Sequence, residues 1–137
     1  MRGAVHSAEN LWVNGAPKAP RDIRPGDTIE SAGAKRARVK KVVQGSGRGT
    51  VWLHGASGAR IRCLRDQRVQ ISVAGRTRYR MAEKIKPGDF LLGLVSGRIC
   101  VDPVVAIRTV EENVPAIYLD VPPISLVSGE GLLCRHS

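Results

Sequence analysis

The stretch DIRPGDTI (residues 22–29) is written again, almost letter for letter, as EKIKPGDFL (residues 83–91). In both copies proline stands where φ near −65° is wanted and glycine follows where φ must turn positive. The pattern predicts a type II turn with Asp27 or Asp89 at its exit and a strand directly behind it. One such turn is commonplace. Two in matching surroundings are informative.

The surroundings match on both sides. Upstream of each copy an apolar strand runs into a glycine turn, at Gly15 in one case and Gly75 in the other. A single helical turn then precedes each motif, in APRDI and in MAEKI. Downstream, Val42 and Val43 stand 15 and 16 residues beyond Asp27, and Val104 and Val105 stand at the same distances beyond Asp89. This predicts a β-unit of about sixty residues present twice, too long and too few to be a solenoid repeat. Each unit alone would leave an apolar face and strand edges uncovered, and two packed about a pseudo-twofold axis would cover them. The expected boundaries are one domain over residues 1–137, with halves at approximately 8–66 and 67–134.

Everything between the motifs agrees with an all-β chain. No apolar pattern of helical period is sustained, and glycine or proline interrupts almost every window. Short β-rich runs recur instead: LWV (11–13), RVKKVV (38–43), TVWL (50–53), RIRCL (60–64), RVQISV (68–73), FLLGLV (90–95), VVAIRTV (104–110), AIYLDV (116–121), ISLV (124–127) and GLLC (131–134). Regularly spaced short strands with glycine turns read as a sandwich, a barrel or a related closed sheet.

Composition narrows the function classes. With 137 residues the chain is long enough for one domain with a respectable core. No apolar run approaches a bilayer span, and MRGAVHSAENLW lacks the apolar centre of a secretory signal. The expected compartment is the cytoplasm, without membrane association. Cys63, Cys100 and Cys134 are odd in number and form no CxxC pair, so neither a disulfide framework nor a zinc site is expected. His6, His54 and His136 lie far apart without ligand spacing, and no GxSxG, HExxH or phosphate-cradling loop is present. No metal or cofactor is expected.

The order of the segments resembles that of the Hint superfamily: inteins, bacterial intein-like domains and the autoprocessing domain of hedgehog proteins. RDIRPGDTI (21–29) looks like the early I-x-x-G-D-x-V segment, and SGARIRCLRDQRVQIS (57–72) like the block G-x-x-I-x-x-T-x-x-H-x-V. RMAEKIKPGDFLL (80–92) is similar to A-x-x-L-x-x-G-D-x-L. AIYLDVPPISLVSGEGLLCRHS (116–137) resembles the closing blocks, where V-Y-D-L-x-V leads to N-G-I-L-V-H-N and a downstream nucleophile. The resemblance covers essentially the whole chain. It implies a horseshoe-like, pseudo-twofold all-β fold with adjacent termini, and a flanking host polypeptide as partner in cis.

The resemblance also implies a chemistry: an N-terminal Cys or Ser attacks the preceding carbonyl, a Thr and a His of the second block polarise that peptide, and a C-terminal Asn cyclises. The residues at those places are of other kinds. The N-terminal nucleophile falls at Ala4 or Val5, with Ser7 two or three residues too late. The Thr and His positions read Leu64 and Gln67, with Cys63 beside them as a buried strand residue. The family's acid falls at Tyr118 and its loop His at Ile124. The closing His-Asn reads either Arg135–His136 with Ser137 downstream, or His136–Ser137 after a one-residue insertion. The expectation is a degenerate domain, inactive or residually self-cleaving. Any activity would be single-turnover self-processing. Replacement of selected residues would account for Ala4 but not for Leu64, Gln67, Tyr118 and Ile124 together, which favours a natural relic or a reused fold.

A second class of function rests on charge. The net charge is +10, from 22 basic and 12 acidic residues, and the basic residues cluster in KRARVKK (35–41), RIRCLRDQR (60–68) and RTRYR (76–80). Alternate residues of a strand share a face, so Arg60 and Arg62 fall together, as do Arg76, Arg78 and Arg80, with Tyr79 opposite. Such stripes suit nucleic acid or an acidic partner. Only five aromatic side chains exist to stack on bases. A solvated strand face is the plainer account.

Overall fold

A computed structural model describes residues 4–6, 9–30, 36–95, 98–121, 125–128 and 133–135. These residues form thirteen strands and two short 3₁₀ turns: β1 (Ala4–His6), β2 (Leu11–Val13), β3 (Ala16–Lys18), β4 (Thr28–Glu30), β5 (Arg36–Arg38), β6 (Lys41–Gly55), β7 (Arg60–Leu64), β8 (Arg68–Val73), β9 (Arg76–Met81), β10 (Phe90–Val95), β11 (Arg98–Asp120), β12 (Ser125–Val127) and β13 (Leu133–Arg135). The 3₁₀ turns, Pro20–Asp22 and Ala82–Lys84, are the helical turns expected ahead of the repeated motif. No helix among the described residues is long and apolar enough to cross a membrane.

The repeated motif builds the same corner twice. Gly26 and Gly88 both adopt φ of 95°, and the amides of Asp27 and Asp89 donate to the carbonyls of Arg24 and Lys86 at 3.0 Å. Each aspartate also accepts from the backbone N–H of the turn's first residue, Arg24 or Lys86, at 2.9 Å. A cation from the preceding strand then closes the corner: Lys18 reaches Asp27 and Arg80 reaches Asp89, each at 2.9 Å. Upstream, both hairpins turn through two residues of positive φ, Asn14–Gly15 and Ala74–Gly75. Such a pair is the signature of the tight turn whose twist matches its strands.

The downstream match falls elsewhere than the spacing predicts. Val104 donates to Asp89 O at 2.8 Å and accepts from Gly88 N at 2.9 Å. In the first corner the residue doing so is Val39, at 2.9 and 2.8 Å, and not Val42 or Val43. The first arm is therefore three residues shorter, and counting from the aspartates overshoots it.

The two arms have the same strand order. One four-stranded sheet runs β3-β2-β4-β5, and within the larger sheet β9-β8-β10-β11 repeats it, with every pairing antiparallel. Matching residues, Ile23 with Ile85, Ile29 with Leu91 and Val39 with Val104, all enter one shared core with Leu53, Ile61, Cys63 and Leu119. Each fully buried aliphatic side chain there contributes roughly 1.5–3 kcal/mol.

The arms are joined by two long strands. β6 and β11 pair antiparallel from Val104↔Gly55 to Asp120↔Lys41, with register shifts between Val104 and Ala106 and between Val110 and Asn113. Residues 41–43 and 50–53, expected in separate strands, are bridged inside β6, and 104–110 and 116–120 inside β11, while Arg38 ends β5. Gly45 and Gly47 lie inside β6 and let other side chains approach the strand closely.

Candidate functional site

One position singled out by sequence, Tyr118, lies on β11. The β11 residues Val114, Ala116 and Tyr118 alternate, so their side chains share one face. Ala4 pairs with Tyr118 in the β1–β11 register, Val5 with Ile117 and His6 with Ala116. On the other side of β11, Tyr118 pairs with Val43, Ala116 with Gly45 and Val114 with Gly47 of β6. Strand β1 also lies against β7, which ends at Leu64.

Two glycines on β6 explain how this face is closed. A Cβ on Gly47 would fall among the methyl carbons of Leu64, and one on Gly45 would stand 2.8 Å from Cε2 of Tyr118. Leu64 is buried and packs with Val114 and Ala116. The Tyr118 hydroxyl donates to the carbonyl of Ser46 at 3.5 Å. Leu64 and Tyr118 thus lie side by side over the bare backbone of residues 45–47, an apolar and aromatic cover where the resemblance implies Thr and acid. Gly45, Gly47, Val114 and Ala116 were not singled out from sequence. The alternating glycines within a β-rich stretch were the available signal for close approach.

Gln67 follows Leu64 around a tight turn, its amide donating to Leu64 O at 3.1 Å. The turn is tied to the second 3₁₀ corner: Ala82 N donates to Gln67 O at 2.8 Å and Glu83 N to Arg65 O at 3.0 Å. Arg65 adds ion pairs to Glu83 at 3.1 Å and Glu111 at 3.2 Å. Gln67 is buried, with 8% of its surface exposed. Beyond it the last strand joins the sheet, Arg135 pairing with Arg68 and Cys134 with Val69. The structure therefore brings together Ala4 with Tyr118, Leu64 with Gln67, and Arg135 with the residue after Gln67. Ser7, Ile124, His136 and Ser137 lie outside the described residues. Val5 and Cys63 are core residues.

The arginine stripes fall on separate strands. Arg60 and Arg62 share a face of β7 as expected, opposite His54 and Trp52 of β6. Their guanidinium carbons stand 5.4 and 4.9 Å from the Trp52 ring centroid, which itself stacks with His54 at 6.3 Å. Trp52 is thus engaged by cations of its own sheet. Arg76, Arg78 and Arg80 lie on β9, separated from β7 in the sheet order by β8, β10, β11 and β6. Tyr79 is on the opposite face of β9, where its hydroxyl accepts from Gln70 Nε2 at 3.2 Å.

No protein-family model matches the sequence, and no curated protein matches it. Solved structures do. The TvoVMA intein superposes with a TM-score of 0.84 at 16% identity, over 96% of this chain and 96% of that one. The DnaB intein of Synechocystis sp. PCC 6803 gives 0.80 at 15%, over 97% and 98%. The bacterial intein-like domain of Clostridium thermocellum gives 0.76 at 16%, over 97% and 98%. Agreement over nearly the full length of each chain fixes the architecture. The chain carries the Hint fold, the architecture of inteins and bacterial intein-like domains.

Proposed function

We propose that this chain is an intein-like domain, related to protein-splicing and autoprocessing elements, whose reactive face no longer supports self-cleavage. The observation that carries this reading is the closure of that face by Leu64 and Tyr118 over Gly47 and Gly45. Forming an ester at the upstream junction requires a nucleophile, and Ala4 and Val5 provide none. It requires hydrogen-bond donors aimed at the developing oxyanion and an acid for the leaving amine. Leu64 can do neither, and Gln67 can donate a hydrogen bond but cannot transfer a proton. The polypeptide partner in this reading is a host chain in cis, flanking a single domain whose halves near 8–66 and 67–134 descend from one β-unit. The matching corners and strand orders support that descent.

The test is to express the chain between two folded tag proteins and follow the product on denaturing gels for a day, with and without added thiol. The precursor is expected to stay intact. A ligated tag pair or a released tag would overturn the reading.

A further inference from the structure

The charged strand β9 is an edge. Among the described residues its one strand partner is β8, paired from Arg68↔Met81 to Val73↔Arg76. Its outer side therefore carries backbone donors and acceptors in position to receive another strand. The two faces of β9 differ chemically. Arg76, Arg78 and Arg80 take one face, in register with Val73, Ile71 and Val69. Thr77, Tyr79 and Met81 take the other, with 41% of Tyr79 and 37% of Met81 exposed.

Of the three arginines, Arg80 is engaged by Asp89. Arg76 and Arg78 are exposed and form no ion pair among the described residues. Among the described residues the Arg78 guanidinium donates to the neighbouring Thr77 carbonyl at 3.1 Å. Two like charges about 7 Å apart on one strand face repel a second copy of the same edge and attract carboxylates of equal spacing. A polyanion such as nucleic acid would use the arginine face alone. An added strand would use that face, the backbone and the Tyr79–Met81 face together.

We propose that β9 is a docking edge for an extended acidic peptide that adds to the sheet as a further strand. Its acidic residues alternate with apolar ones: carboxylates lie beside Arg76 and Arg78, and apolar side chains lie beside Tyr79 and Met81. This is strand addition, in which main-chain hydrogen bonds hold the ligand and alternate side chains select it. The edge belongs to β9, whereas the face covered by Leu64 and Tyr118 is built on β6, β7 and β11, so the proposal stands whether or not the domain processes itself.

The experiment uses the full chain and a capped octapeptide of alternating glutamate and valine, followed by fluorescence anisotropy and amide NMR shifts. Two controls have the same length: alternating lysine and valine, and four glutamates followed by four valines. The alternating acidic peptide is expected to bind at least tenfold more tightly than either control, with shifts concentrated in residues 76–81. The paired substitution Arg76→Glu/Arg78→Glu is expected to reverse the preference toward the lysine peptide. Equal binding of the block peptide would overturn strand addition, because charge alone would then suffice. Shifts centred away from β9 would overturn the site. Single-stranded DNA bound at β9 more tightly than the acidic peptide, with affinity falling steeply in salt, would overturn the choice of partner. The comparison of peptides on the unmodified chain decides the matter even if the substituted chain fails to fold.

Discussion

The Lys18 ammonium lies 2.9 Å from Oδ2 of Asp27, fastening β3 to the proline-glycine corner behind it. The carboxylate is held below its ordinary value of 3.8, chiefly by the Arg24 amide it accepts from, then by Lys18 and Asn14, with burial opposing. A depressed folded value means that the ionised form is favoured by folding. This contribution is complete above the unfolded value, about pH 4, and is lost as pH falls through the lower folded value.

Asp27→Ala is therefore expected to lower stability at neutral pH by about 1–2 kcal/mol, the loss of a charge-assisted turn bond. In urea titrations at successive pH values, its deficit should shrink toward zero in strong acid. A deficit that stays constant from neutral pH to about pH 2 would show that the carboxylate's charge is not what holds the corner.

Ala74 adopts φ of 50° at the first position of the β8–β9 turn, where the first arm has Asn14 at 53°. An alanine in the left-handed region costs about 1 kcal/mol, and asparagine tolerates it better. Ala74→Asn is expected to stabilise the domain by roughly 0.5–1 kcal/mol in denaturant unfolding. An unchanged or lower midpoint would contradict the turn geometry.

Gly47 and Leu64 form a close pair in which the glycine has no room for a methyl group. Gly47→Ala is expected to destabilise by about 1–3 kcal/mol through overpacking. Leu64→Ala alone opens a cavity beside Val114 and Ala116 and costs about 2–4 kcal/mol. The double substitution should cost clearly less than the sum of the two, because the new methyl enters the space the isobutyl group leaves. Additive costs in a double-mutant cycle would show that the two residues do not meet.

Much of this was legible in the sequence because the repeated corner is made of local chemistry. Pro25, Gly26 and Asp27 specify a turn by their own backbone preferences, and so do Pro87, Gly88 and Asp89. Residues whose meaning depends on a distant partner were not legible. Gly45 and Gly47 gain their meaning only when Tyr118 of the distant β11 and Leu64 of the neighbouring β7 are placed above them. For the same reason β6 and β11 were divided in the reading of the sequence. The place of Val39 was missed because the arms differ in length, which spacing from Asp27 could not reveal. At the site, the register of Ala4 with Tyr118 and of Arg135 with Arg68 came from the folded sheets, whereas the residue types at positions 4, 64, 67 and 118 are read directly from the sequence.

The central proposal is that a peptide bond entering at Ala4 or Val5 meets a closed, unreactive face and is never converted to an ester. Intact-mass spectrometry of the chain flanked by two tags, incubated for days with hydroxylamine to trap any ester or thioester, tests it most directly. The prediction is a single species at the full precursor mass throughout. A hydroxamate-tagged fragment, a free flank or a spliced product accumulating with time would contradict it.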